Sequence, residues 1–150
     1  MSSFAQLAAS TKDPQAWIDG WVEIRAYTAL EPLKVVITEI TSEHLIMEFE
    51  ITDAARQPMG LLHGGVSMLL AETVASTHSA YICDISKVAP VGIEINGSHL
   101  RSATSGRIRV IGRVLRSTRS FIFHDIEVVH VETGNTLCSS RVTNYLKPHN

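Results

Sequence analysis

The sequence predicts an α+β domain in which one antiparallel sheet wraps around one long helix, with a short helical leader ahead of it. Three observations carry that expectation. Apolar residues Val66, Leu69, Leu70, Val74 and Tyr81 recur at helical spacing. Two stretches that alternate with period two precede this run, and four longer ones follow it. One helix among six strands favours a sheet folded over a helix rather than alternating parallel units.

The elements follow in order. A chain of 150 residues suits a single domain with a sizeable core, and we divide it into a helical leader, 1–32, and a sheet-and-helix domain, 33–150. Residues 1–12, MSSFAQLAASTK, lack the basic start and continuous apolar core of a secretory signal. No apolar run approaches the ~20 residues that span a bilayer. A cytoplasmic protein without a membrane partner is expected. Asp13 and Pro14 read as an N-cap and first helical residue, opening a short helix through Trp17, Ile18, Trp21 and Val22. Its tryptophans are assigned to core or interface packing rather than to closure over a pocket. From Leu33 the period becomes two, giving strands at 33–39 and 43–51, the second alternating Leu45, Met47, Phe49 and Ile51 with His44, Glu48 and Glu50. A loop at 52–60 leads into the long helix, which ends near Cys83. Strands at 88–100, 107–115, 120–131 and 137–146 are separated by the turn-rich SATSG, RSTRS and ETGN.

Composition excludes several functions. Thirteen basic against fifteen acidic residues give a net charge of −2 with no basic stripe, so nucleic acid is not an expected partner. Only Cys83 and Cys138 are present, without a CxxC or a Cys/His cluster, which supports no disulfide framework. His124 and His130 share a strand face but stand ~20 Å apart along it, too far for one ion, and no metal or other cofactor is expected. No G-x-S-x-G elbow marks a serine nucleophile.

Chemistry concentrates in 57–76, QPMGLLHGGVSMLLAETVAS. Gly64 and Gly65 open the helix and let a ligand approach the backbone. The first N–H groups of a helix lack intrahelical partners, and the helix dipole adds about half a positive charge there, which suits a carbonyl oxygen becoming an oxyanion. Glu72 lies two turns further in, on a face with Met68 and Ser76. Taken singly, Glu72 reads as a solvated helix position, His63 as a backbone cap and Gln57 as a turn residue. Together, a glycine-lined helix N-terminus, an embedded carboxylate and nearby amide and hydroxyl groups are what acyl transfer needs. Further along, His99 and Arg101 fall on one side of the extended NGSHLRS, and Ser117, Thr118 and Arg119 fall in the next turn. Arginines and hydroxyls at strand ends suit phosphate groups, although solvated strand ends have the same composition.

QPMGLLHGG followed by LLAETVAS resembles the hotdog-fold acyl-CoA thioesterases, in the branch of the 4-hydroxybenzoyl-CoA and 1,4-dihydroxy-2-naphthoyl-CoA enzymes. VGIEINGSHLRSATSGRIR and GNTLCSSRVTNYL extend the resemblance toward the naphthoyl-CoA enzyme of menaquinone and phylloquinone biosynthesis. The resemblance covers about residues 33–147. It implies a hotdog fold and a CoA thioester as substrate. It also implies a homodimer, or a dimer-of-dimers tetramer, with active sites between subunits. Gly64 N–H would polarise the thioester carbonyl, and Glu72 would act on its carbon as nucleophile or general base. Gln57 and His63 would orient the ester, and Ser76 would position water or Glu72. The segments containing Gly65, His99, Arg101, Ser102, Ser117, Thr118 and Arg119 would contact the acyl-CoA. Ser rather than Thr at position 76 favours the naphthoyl-CoA branch. Broad aryl-CoA, acyl-CoA or carrier-protein thioester hydrolysis is the alternative. A non-catalytic acyl-CoA-binding module and a dehydratase remain as other classes, the latter short of a second carboxylate with an evident role, since Glu94 has none.

Overall fold

The computed structural model describes residues 3–149. Met1, Ser2 and Asn150, at the outer ends of the two ranges assigned from sequence, lie outside the described residues. Two helices, α1 (Ser3–Ser10) and α2 (Pro14–Arg25), precede strands β1 (Val36–Ile40) and β2 (His44–Glu50). The central helix α3 (Gly64–Ile82) follows, then β3 (Val88–His99), β4 (Arg107–Ser117), β5 (Phe121–His130) and β6 (Thr136–Pro148).

The strands form one six-stranded antiparallel sheet in the order β1-β2-β4-β5-β6-β3. The register slips in β1, β3, β4 and β5, and such bulges add the local bend and twist that let a sheet curl around a helix. Burial alternates along β5, where Ile122, His124, Ile126 and Val128 all face inward. The helix supplies Leu70, Ala71, Val74 and Ala75 to the same core. The two pack tightly at Gly112, where a Cβ would stand 2.5 Å from Val74 Cγ1. The opposite sheet face carries charge pairs, among them Arg109–Glu48 and Arg113–Glu127, each at 2.7 Å. This is the hotdog arrangement.

The leader is helical, as expected, but holds one more helix than the one placed from Asp13 and Pro14: Ser3–Ser10 is helical and buries Ala8. The second helix begins where expected, with the Asp13 carboxylate accepting from Gln15 N–H and Pro14 in the first turn. Trp17 and Trp21 are buried in the common core. Their indole N–H groups donate to Thr11 O and Val35 O, which satisfies the polar edge of each ring. Between the helices Lys12 reaches the C-terminal end of α3, donating to Ala80 O and Cys83 O at 3.0 Å, while Tyr81 Oη donates to Lys12 O. An ammonium there caps carbonyls that the helix itself leaves unpaired.

Candidate active site

The entrance to α3 is built by a turn and a cap. Gly60 N–H donates to Gln57 O across Pro58, with Gly60 at φ 81°, a conformation that glycine adopts without strain. The Gln57 side-chain oxygen accepts from Met59 N–H. His63 is the N-cap, and its Nδ1 accepts from Gly65 N–H at 2.8 Å. Val66 N–H and Ser67 N–H return to His63 O. Among the described residues Gly64 N–H has no protein acceptor, so it is the donor left over at the positive end of the helix. The His99 imidazole packs against the Gly64 Cα, and a Cβ on Gly64 would meet His99 Nε2 at 2.6 Å. Gln57, Gly64, His99, Arg101 and Ser102 share a cleft of about 400 Å³. Arg101 is exposed there, with one guanidinium nitrogen 3.3 Å from Thr136 O.

Glu72 occupies a different place. It is exposed on α3, with Oε1 against the backbone of β3; a Cβ on Gly92 would stand 2.5 Å from that oxygen. The register of β3 shifts between Gly92 and Glu94, so the bulge and the missing side chain both fall beside the carboxylate. Glu72 and Ser76 border a second, larger cavity of about 1070 Å³, whose other walls are mostly apolar. Gly64 and Glu72 are eight residues apart on one helix, roughly 12 Å along its axis. Within one protomer they therefore cannot meet at a single carbonyl carbon. The Ser117–Arg119 turn is farther still from His99. Gly92 sits opposite Asn144, Asn144 opposite Ile122, and Ile122 opposite Ser117, which places that turn at the Gly92 end of the sheet. His99 lies seven residues along β3 from Gly92, roughly 23 Å away. The Thr118 hydroxyl is taken up by the turn itself, donating to Phe121 O and accepting from Phe121 N–H.

Three supporting residues escaped the sequence reading. Asn144 is fully buried on β6, donates through Nδ2 to Ser76 Oγ at 2.9 Å and accepts from Ser79 Oγ. It fixes the hydroxyl one turn below Glu72. Thr143 and Asn96 hold the Glu94 carboxylate, at 3.1 and 2.8 Å, giving that group a structural engagement. The only available hint was a polar residue within the apolar alternation of RVTNYL. Burial raises both the Cys83 and the Cys138 thiols above their ordinary range, which opposes a thiolate nucleophile. Among the described residues no three His, Cys, Asp or Glu side chains converge as a metal set.

The family model described as thioesterase superfamily matches residues 59–137, which include the α3 entrance, Glu72 and the whole of β3. The chain belongs to the thioesterase superfamily. It is 36% identical over 111 residues to 1,4-dihydroxy-2-naphthoyl-CoA hydrolase of Escherichia coli strain K12, covering 74% of this chain and 80% of that protein. It is 34% identical over 116 residues to the proofreading thioesterase EntH of Cronobacter sakazakii, covering 77% and 83%. A crystal structure of a mutant thioesterase from Pseudomonas aeruginosa superimposes with a TM-score of 0.84 at 28% identity, covering 88% of this chain and 94% of that one. In this thioesterase-superfamily chain, then, two groups stand apart on one helix: an unpaired N–H at its start, close to the His99 imidazole, and a carboxylate at the mouth of a mostly apolar cavity.

Proposed function

We propose that the protein hydrolyses an aryl- or acyl-CoA thioester to the free acid and CoA, with the reaction centre assembled between two protomers. The observation that carries this reading is the Glu72 carboxylate seated on Gly92 at the mouth of the apolar cavity. Its complement, the unpaired Gly64 N–H, lies on the same helix but out of its reach. β3 is a long edge strand that exposes Val91 and Ile93, with Leu100 exposed just past its end, and an edge of that kind pairs readily with a second copy. Pairing of two such edges brings the Gly64 of one protomer toward the Glu72 of its partner.

The chemistry then divides among the residues. Gly64 N–H donates to the thioester carbonyl oxygen and holds the oxyanion that forms there; loss of one such donor typically costs about 10²- to 10³-fold. Glu72 attacks the carbonyl carbon or draws a proton from the attacking water, and the sulfur departs as CoA thiolate. Ser76, held by Asn144, orients the water or the carboxylate. Gln57 and His63 position the ester at the helix entrance, where the His63 ring already engages Gly65 N–H. His99, Arg101 and Ser102 border the same cleft as Gly64, and their basic and hydroxyl groups suit the phosphates of CoA. Ser117, Thr118 and Arg119 lie at the Gly92 end of the sheet, three strands across from β3, and are assigned the CoA of the Glu72 half-site. The chemistry calls for no metal or cofactor.

1,4-Dihydroxy-2-naphthoyl-CoA is the aromatic ester to assay first, supported by relatives of that name at 36% and 32% identity. The test is release of free CoA thiol from a panel of aromatic and straight-chain esters, run beside Glu72→Ala. Turnover by the parent and a loss of at least 10³-fold in the variant are expected. Esters that bind without hydrolysis would instead make the protein a binding module.

A further inference from the structure

The leader helices take no part in the sheet, yet they form one side of the cavity into which Glu72 opens. Phe4, Ala5, Ala8 and Ala9 of α1 and Trp21 and Ile24 of α2 face the Glu72, Ser76 and Leu69 side of α3 across it. The cavity measures about 1070 Å³, at the upper end of the ~300–1,000 Å³ range that accepts drug-sized ligands. A thioester carbon at Glu72 therefore has its acyl group directed between α3 and the leader.

Two features define the occupant. The wall is mostly apolar, and several of its hydroxyls are engaged: Thr73 donates to Leu69 O, Thr28 to Arg25 O and Ser86 to Asp84, and Ser76 accepts from Asn144. An apolar acyl group gains from burial against such a wall, whereas each hydroxyl it carried would need a partner there, because unpaired polar groups are costly to bury. The wall is also fixed in place. Lys12 is bonded to the end of α3, Tyr81 to Lys12 O, and both tryptophans to backbone carbonyls. Small side chains at Ala5, Ala8 and Ala9 leave the space open, while Phe4 stacks edge-on against Trp17 at 5.8 Å.

We infer that α1 and α2 are the specificity wall of an acyl chamber built for extended hydrocarbon chains, whose accepted length is set by the small residues of α1. This rests on the thioesterase reading and chooses a substrate class within it. Each methylene buried in the chamber contributes about a fourfold factor, so a chain that fills it gains a large advantage over a short one.

The test compares kcat/KM for butanoyl-, octanoyl-, dodecanoyl-, hexadecanoyl- and 1,4-dihydroxy-2-naphthoyl-CoA in the parent, Ala5→Phe and Ala8→Phe. The parent is expected to rise with chain length and to prefer dodecanoyl or longer over the naphthoyl ester. In the Phe variants the hexadecanoyl-to-butanoyl ratio should drop at least tenfold. A parent profile that is flat or favours the naphthoyl ester overturns the inference, as does an equal loss at every length in both variants. Calorimetric titration of hexadecanoyl-CoA into Glu72→Gln and Glu72→Gln/Ala5→Phe separates the two readings. If no ester is hydrolysed but hexadecanoyl-CoA binds and the added Phe weakens it at least tenfold, the chamber stands and the thioesterase reading falls. Equal affinity in the two proteins removes the chamber.

Discussion

At the scale of single residues, the position of Glu72 depends on an atom that is missing. A methyl group on Gly92 would stand 2.5 Å from Glu72 Oε1, so Gly92→Ala must displace the carboxylate. Because a misplacement of about 1 Å costs on the order of 10²-fold, kcat should fall by about that factor while the thermal midpoint stays within a few degrees. Steady-state kinetics and a thermal melt of the same preparation decide it. His78 and His124 form a second residue-scale device. Thr41 O can only accept, so His78 Nε2 carries its proton toward it; His78 Nδ1 then accepts from His124 Nε2, at 3.0 Å. That leaves the buried His124 Nδ1 as a lone pair without a partner. Burial lowers both rings, and with the charge of His78 it holds His124 down to about 3. With folded values below the unfolded 6.5, the unfolded chain binds more protons. The stabilising contribution is thus complete above about pH 6.5 and is lost as pH falls toward the folded values. Urea unfolding at pH 7.5, 6.0 and 5.0 should show stability dropping, in the acid range, by about 1.4 kcal/mol per pH unit for each histidine involved. His124→Phe should flatten that slope.

At the scale of elements, the tight helix–sheet contact at Gly112 offers a sharp test. Gly112→Ala places a methyl 2.5 Å from Val74 Cγ1 and should destabilise by about 1–3 kcal/mol, read as a lower denaturant midpoint. Adding Val74→Ala should restore part of the loss, because the two side chains share one space. The same elements show what the sequence made legible. β2 and α3 were readable because Leu45, Met47 and Phe49 alternate and Leu70, Val74 and Tyr81 recur at helical spacing, each under one solvated and one buried face. α1 was not, since SFAQLAAS spans little more than two turns, too short a run for its spacing to stand out. Asn144 was hidden because a polar residue on a strand ordinarily reads as solvent-facing. Gln57, Gly64 and His99 could be singled out by residue type and spacing, and they do share a cleft. The separation of Gly64 from Glu72 shows only in the structure, because a motif compresses into one line what a helix spreads over about 12 Å.

At the scale of the whole molecule, β3 lies at the edge of the sheet, and the proposed reaction centre depends on its pairing with a second copy. Ile93 is 55% exposed on that strand, and Ile93→Lys puts a charge where two edges would meet. Sedimentation velocity should show the parent as a dimer or larger and the variant as a monomer. The monomer should lose most turnover although both half-sites are intact, and an active monomer would refute a centre shared between protomers. The clamp at Lys12 reaches further, into how the chain is made. Its bonds to Ala80 and Cys83 span 68 and 71 residues. The leader thus leaves the ribosome ahead of α3, yet the surface on which it docks is incomplete until the whole of α3 has emerged. Through that interval Trp17 and Trp21 are uncovered, and the nascent chain carries a sticky segment that a holding chaperone would recognise.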